Sequence, residues 1–254
     1  MQRSIYIVII ALILAVSVVA RSASVWSDGK LVSEQKKYSR VRAARQNRAE
    51  SIDSLFAEID YPAKTFLRAF KLEQQLELWA YADSARGYIL VKTYPFTAYC
   101  GDLGPKRKQG DMQIPEGFYH ITDFNPVSSF HLSMGVNYPN ASDRILGNQA
   151  NPGGDIRIHG CAVTIGCIPI GDAAIEELYI ILLDSKDAGH EVPCHIFPCR
   201  FDDSISAVIL NLYSSRDSTL EAFWENLRDG FELFEDNAEP PKASIDSDGR
   251  YEFP

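Results

Sequence analysis

The chain has 254 residues, of which 46% are hydrophobic and 23% are charged, so it can bury a real core, which argues against disorder throughout. Its formal net charge of −9 argues against nucleic acid as the main partner. The charge is uneven, because residues 30–48 are basic and the segment after Asp217 is acid-rich. The basic stretch is either a solvated helix face or a contact for anionic lipid or wall polymer.

The first residues have the build of an export signal. A cationic start at Arg3 precedes the apolar run Ile5–Ala20, and Val18 and Ala20 offer a small-residue cleavage site. The run is shorter than the about 20 residues that span a bilayer, which favours removal of the signal over an uncleaved anchor, although the anchor stays open. In both cases we expect the protein to work in the periplasm or elsewhere in the cell envelope.

Hydrophobic periodicity then predicts a helix followed by strands. The stretch 30–59 has helix-forming composition, and Pro62 ends it. Alternating residues on both sides of the break Asp83–Gly87 predict a β-hairpin, and a turn-rich segment with a short strand follows. The predicted strands of this region are Leu76–Tyr81, Tyr88–Tyr94 and Gly117–Thr122.

The stretch "DIRIHGCAVTIGCIPIGD" contains the residues with the most chemistry. Asp155, Arg157 and His159 fall on one face of a strand, so the sequence predicts His159 on a polar face. Further along, Asp172 is predicted to cap a helix that ends at Gly189.

The rest of the chain adds one strand and one helix. A strand is predicted in "VPCHIFPCRF", and Thr219–Phe234 is predicted as an amphipathic helix followed by an irregular tail from Glu235. Strands outnumber helices in the middle of the chain, so we expect an α+β, β-dominated fold with helices at its sides. The residues predicted to face inward from the last helix are Phe223, Leu227, Phe231 and Phe234.

Cys167 fits the requirements of a nucleophile. A thiol attacks only as thiolate, so a catalytic cysteine needs a neighbouring base or cation. Cys167 follows Gly166, which allows a tight backbone path, and it precedes a helix start whose dipole favours negative charge. His159 on the preceding strand is the candidate base, and the amides of Gly166 and Cys167 are candidates for an oxyanion hole.

A zinc site is the second interpretation. It would use His159, Cys161 and Cys167, but the spacing lacks the Cys-x2–4-Cys pairs of structural zinc sites, so no metal is expected. The fourth ligand would come from His190, Cys194, His195 or Cys199.

Disulfides are the third interpretation. Five cysteines in an exported monomer leave at least one thiol unpaired. If Cys167 is the free one, the pairing favoured among three is Cys194 with Cys199 and Cys100 with Cys161. A Cys161–Cys167 bond would instead block the nucleophile. The residues alone leave the thiol enzyme and the disulfide interpretation both open.

"IHGCAVTIGCI" resembles the active-site signature of the L,D-transpeptidase catalytic domain (YkuD-type), in which His-Gly precedes Ser or Thr, one residue, and Gly-Cys. The common form has a longer gap, a histidine where this chain has Ile165, and an arginine where it has Pro169. The short gap is similar to the YafK-like branch, as are "LGPKRKQGDMQIPEGFY", "GVNYPNASDR", the Phe223-Trp224 helix and "PPKASIDSDGRY". The resemblance runs from about residue 30 to the C-terminus. The matching positions are His159, Gly160, Thr164, Gly166 and Cys167.

This resemblance implies a β-sandwich or barrel with flanking helices and a peptidoglycan substrate. It implies that Cys167 attacks an amide at the L-centre of meso-diaminopimelate in a stem peptide and forms a thioester. His159 would act as base and acid, steered by a carbonyl such as that of Gly160. Gly166 and Cys167 would form the oxyanion hole, and Thr164 would support the loop. No cofactor is implied.

The resemblance leaves substrate docking and the acceptor open. Arg144, Arg157 and Lys106 are candidates for binding a substrate carboxylate, with surface or ion-pair roles as the alternative. An amine acceptor would give a cross-link, a lipoprotein lysine an anchored lipoprotein, and water hydrolysis. The YafK-like branch is also associated with cutting a murein-linked lipoprotein from the wall. The rival outside enzymes is a non-catalytic wall-binding envelope protein on the same fold.

The predicted organisation has four parts. Residues 1–20 are a signal peptide or anchor, with membrane contact expected at this end, and residues 21–65 are a basic helical extension. Residues 66–200 are an L,D-transpeptidase-like catalytic domain. Residues 201–254 are a C-terminal helix and tail.

Overall fold

The structure is a computed structural model that describes residue 35, residues 37–215 and residues 217–254. The predicted signal peptide, its anchor alternative and the start of the basic stretch lie outside the described residues. Within the described part, no helix is long and apolar enough to cross a membrane.

Most of the strands form one eight-stranded mixed sheet in the order β3-β2-β1-β8-β4-β5-β6-β7, and the last two strands form a separate ribbon. Most neighbours are antiparallel, whereas β1 with β8 and β6 with β7 are parallel. The strands are β1 Thr65–Phe70, β2 Gln75–Asp83, β3 Gly87–Pro95, β4 Gly117–Asn125, β5 Ser133–Val136, β6 Arg157–His159, β7 Ile168–Pro169, β8 Pro193–Phe197, β9 Ser244–Ile245 and β10 Tyr251–Glu252.

Five helices flank the sheet in the described part of the chain. They are α1 Ser39–Leu55, α2 Ala141–Leu146, α3 Asp172–Asp187, α4 Ser204–Ser214 and α5 Ser218–Asn237. The predicted hairpin is confirmed as β2 and β3. Its turn is stabilised because the Asp83 carboxylate accepts hydrogen bonds from the amides of Ala85 and Arg86, and Gly87 takes a φ of 66°.

The sheet is covered on both faces, which explains why every residue of β1 is buried. Leu67 and Ala69 pack in the core cluster that contains α1 and α3. Phe70 points to the other face and packs in the cluster of Phe231 on α5. Alternate residues of β1 thus pack into two different hydrophobic clusters, one on each face of the sheet.

Part of the basic stretch is used inside the fold. Arg45 of α1 forms two hydrogen bonds to the Asp184 carboxylate of α3, at 2.7 and 2.6 Å. Arg48 pairs with Glu176 of the same helix at 2.9 Å. These two arginines therefore hold α1 on α3, which corrects the interpretation of the whole stretch as a solvated or polymer-binding face.

A buried ion pair anchors the long loop that follows β3. Lys71 Nζ lies 2.8 Å from a Glu116 oxygen, and both side chains are fully buried. Lys71 also donates to the carbonyls of Gly104 and Ile114, and Glu116 accepts from Trp224 Nε1 at 2.8 Å. The network thereby joins β1, the loop and α5.

The C-terminal part differs from the prediction. The last helix continues to Asn237, and the tail predicted to be irregular forms the β9–β10 ribbon. The short helices α2 and α4 were not predicted. Of the four residues expected to face inward, Leu227, Phe231 and Phe234 are buried, whereas Phe223 is half-buried.

Candidate active site

Cys167 and His159 lie on the same face of two neighbouring strands. In the parallel pair β6–β7, Ile158 is opposite Ile168 and His159 is opposite Pro169. The same register places Cys167, one residue before β7, beside Arg157. Because side chains alternate along a strand, Arg157 and His159 share a face, and Cys167 joins them there.

The Cys167 thiol is half-buried and forms hydrogen bonds with the backbone of two residues, Asp155 and Arg157. Its Sγ donates to the Asp155 carbonyl at 3.7 Å and accepts a hydrogen bond from the Arg157 backbone. Burial raises the pKa of the Cys167 thiol to about 11, with a smaller contribution from the Asp155 charge, and Arg157 opposes the rise. The resting group is therefore a neutral thiol that needs a base to become a nucleophile.

The His159 imidazole is held by a hydrogen bond to the neighbouring backbone. Its Nδ1 lies 2.6 Å from the Gly160 carbonyl oxygen, so Nδ1 carries the proton and Nε2 keeps its lone pair. Burial lowers the pKa of His159, as does the Arg157 charge, although the bond to Gly160 opposes this. The side chain is only 2% exposed and packs on the Phe130 ring at 4.7 Å, so its predicted polar face is covered rather than solvated.

The loop before Cys167 corrects the predicted oxyanion hole. The Gly166 amide donates to Thr164 Oγ1 at 3.0 Å, and the Gly160 amide donates to carbonyls of Phe130 and Leu132. Thr164 Oγ1 in turn donates to the Cys167 carbonyl at 2.7 Å. The Cys167 amide, by contrast, makes no such hydrogen bond to a described residue.

Both glycines of the signature are required by close packing. Gly166 has a φ of 137°, and a Cβ there would lie 2.8 Å from the Gln113 carbonyl oxygen. A Cβ on Gly160 would lie 2.5 Å from an Asp172 carboxylate oxygen. Neither position accommodates a side chain without a shift of the loop that carries Cys167.

Neither predicted disulfide is present, since all five cysteines are unpaired. Cys194 is buried in the core cluster of α1 and α3, whereas Cys199 is buried in the cluster around α5, so the two side chains serve different cores. Cys100 contacts Thr164 Oγ1 at 3.8 Å, whereas the Cys161 backbone is held by Thr97 and Asp172. The described residues also contain no group of three or more potential metal ligands.

The three candidate cations differ in how they are used. Lys106 is buried, and its Nζ is bound by Asp111 at 2.6 Å and by the Lys108 carbonyl, so it holds its own loop together. Arg157 is bound by Asp123, Asp155 and Ser133. Arg144 is exposed on α2 and lines a groove between α2, the β4–β6 part of the sheet and the β9–β10 ribbon.

Sequence reasoning missed two residues that position the site. Phe130 covers the imidazole, and no sequence pattern connects it to His159. Asp172 was predicted to cap α3, but the N-cap is Gly171, which makes no side-chain cap hydrogen bond. The Asp172 carboxylate instead accepts a hydrogen bond from the Cys161 amide at 2.7 Å and fixes the start of the loop between the two functional residues.

The fold is thus of the α+β class and is built on one mixed sheet. The pair of strands at one edge of this sheet carries the histidine and leads into the cysteine. No family model matches the chain. "Putative L,D-transpeptidase YafK" of Escherichia coli K12 is 33% identical over 189 residues, which are 73% of this chain and 72% of that protein. The protein of the same name from the O157:H7 strain gives the same values. The chain therefore belongs to the L,D-transpeptidase family, whose members act on peptidoglycan.

Solved structures match at lower similarity. The helical cell shape determining protein Pgp2 of Campylobacter jejuni is 17% identical with a TM-score of 0.45, covering 77% of this chain and 80% of that chain. A mutant form of Pgp2 gives 20% identity and a TM-score of 0.45, and the match covers 65% of this chain and 61% of that one. L,D-transpeptidase 1 of Mycobacterium tuberculosis is 13% identical with a TM-score of 0.29 over 53% of this chain and 62% of that chain.

Proposed function

We propose that the protein is an exported cysteine enzyme that acts on stem-peptide amides of peptidoglycan at meso-diaminopimelate through a thioester on Cys167. The observation that carries the proposal is the strand register that sets Cys167 opposite Arg157, two residues before a His159 whose Nδ1 is bound to the Gly160 carbonyl. This arrangement leaves a basic nitrogen on the face of the thiol. Family membership supplies the substrate class.

The proposed reaction has two halves. His159 Nε2 takes the thiol proton as Cys167 Sγ attacks the amide carbon, and the Cys167 amide donates to the developing oxyanion. The C–N bond then breaks, the leaving amine receives the proton from His159, and a thioester remains. In the second half an acceptor attacks the thioester and gives its proton to His159; the C–S bond breaks, and the departing sulfur takes that proton, which restores the thiol and the neutral imidazole.

The acceptor decides the biological outcome. An amine of a second stem peptide would give a cross-link, and water would give hydrolysis. The alternative is therefore a hydrolase that cuts a lipoprotein from peptidoglycan. Export would take the enzyme to its substrate in the cell envelope, with the N-terminal segment as the part in contact with the membrane.

The test compares the wild type with Cys167→Ala and, as a matched control, Cys161→Ala, a second half-buried cysteine on the same loop. Each protein is incubated with muropeptides, and bond exchange or release is scored by mass spectrometry. We expect the wild type and Cys161→Ala to give product and Cys167→Ala to give none. Equal product from Cys167→Ala would refute the proposal. Lipoprotein-linked muropeptide in the same assay separates the hydrolase, which releases intact lipoprotein, from the transferase.

The same variant distinguishes the rival class. A non-catalytic wall-binding protein would bind isolated peptidoglycan equally well with and without Cys167 and would release no product in either form.

A further inference from the structure

A large groove lies next to the proposed site. It has a volume of about 1260 Å³ and runs between the β4–β6 part of the sheet, α2 and the β9–β10 ribbon. The volume is larger than one amino-acid residue needs, so the groove suits an extended peptide. Its apolar lining includes Phe130, Val136, Ile156 and Ile245.

The groove shares its wall with the site. Phe130, which covers His159, lines it, and so does Asp155, whose carbonyl contacts Cys167 Sγ. A peptide whose amide lies at Cys167 therefore continues into the groove. The lining also includes Arg144 of α2 and residues of the ribbon such as Ile245.

The charges of the groove are arranged unequally along it. Asp123 and Asp155 lie at the end near the thiol, where Arg157 pairs with both. In the described part of the chain, Arg144 makes no side-chain hydrogen bond or ion pair within 4 Å. The neighbouring Asp143 carboxylate is buried, is bound by Tyr119 and lies 3.8 Å from Arg107, and the charge of Arg144 also acts on it.

We propose that Arg144 binds a carboxylate of an extended acidic peptide that lies in this groove with its reacting amide at Cys167. The proposal rests on the proposed function for the identity of the peptide, and it selects one cation from the three candidates. The two aspartates near the thiol disfavour a ligand carboxylate there, whereas the exposed guanidinium of Arg144, which makes no hydrogen bond to a described residue, can form a bidentate bond.

The test measures binding and not turnover. Stem peptides in which one carboxylate at a time is converted to a carboxamide are titrated calorimetrically into Cys167→Ala protein, with and without Arg144→Gln. Arg144→Lys reports whether charge without the planar guanidinium suffices. Arg86→Gln, an exposed arginine at the β2–β3 turn, is the matched control. Thermal melting checks that every variant is folded.

We expect one carboxamide to weaken binding by about tenfold to a hundredfold when Arg144 is present and to have no effect with Arg144→Gln. The Arg86→Gln control should keep the full difference. The inference is overturned if no carboxamide weakens binding, if the loss persists with Arg144→Gln, or if no peptide binds. Wild-type turnover of the same peptides is measured separately, so binding without turnover would count against the proposed function and not against this inference.

Discussion

Replacement of His159 by glutamine is expected to lower kcat/KM on muropeptides by about a thousandfold or more at pH 7. Burial holds the pKa of Cys167 at about 11, so only about one thiol in ten thousand is ionised at pH 7 without help. Nε2 of His159 removes that limitation by taking the proton during attack. Glutamine keeps a similar size but offers no basic nitrogen.

The pH dependence distinguishes loss of a base from loss of structure. In the wild type the base works when His159 is neutral, and burial lowers the pKa of His159 below its usual 6.5. Activity should therefore hold through neutral pH and fall only as the pH drops through that lowered value. In His159→Gln, activity should instead rise about tenfold per pH unit towards pH 11, because hydroxide then supplies the thiolate.

The control for this experiment is His190→Gln, a histidine in the turn after α3 whose loss should leave both profiles unchanged. A His159→Gln variant with wild-type activity at pH 7 would contradict the assignment of the base. A variant that stays inactive and flat up to high pH would show that His159 acts by holding the loop.

Lys71→Met is expected to lower the free energy of unfolding by about 3–5 kcal/mol, because it leaves the fully buried Glu116 carboxylate without its cation. For a chain of this size the loss corresponds to a fall in Tm of about 6–20 °C, measured by calorimetry. The activity should fall with it, because the loop held by Lys71 carries Gln113, whose carbonyl packs on Gly166.

Two further variants test the reason for that loss. Adding Glu116→Gln to Lys71→Met removes the unpaired charge while keeping an oxygen for Trp224, so part of the Tm should return. Arg86→Gln removes a solvent-exposed ion pair and should change the Tm little. An unchanged Tm in Lys71→Met would contradict the anchoring role of the pair.

The sequence was sufficient to predict the elements whose apolar residues recur with the period of their secondary structure, two residues in a strand and 3.6 in a helix. Alternation was sufficient for β2 and β3, and the apolar stripe was sufficient for α5. In contrast, α4 was missed because its apolar residues are spread around the helix: Leu210 is buried in a core cluster, whereas Ile205, Val208 and Leu212 are more than half exposed. A pattern of this kind does not tell a helix from a loop.

The site was only partly predictable for a related reason. Local spacing puts Cys167 next to the strand that carries His159, and alternation puts His159 on the same face as Arg157. Phe130 decides whether solvent reaches that face, and Asp123 decides whether Arg157 is available for a ligand. Both residues are distant from this stretch in sequence, so local spacing does not reveal them. The disulfide prediction used cysteine parity alone, which carries no information on the separate cores of Cys194 and Cys199.

The most direct test of the central claim is the mass of the intact protein after brief mixing with muropeptides and quenching in acid. We expect a covalent adduct with the mass of the acyl part of the stem peptide, removed by hydroxylamine, as expected for a thioester. Fragmentation of the tryptic peptide 158–186, which contains both Cys161 and Cys167, should place the adduct on Cys167. The adduct should be absent from Cys167→Ala and present in Cys161→Ala. An adduct on another cysteine, or product formation by Cys167→Ala, would contradict the account.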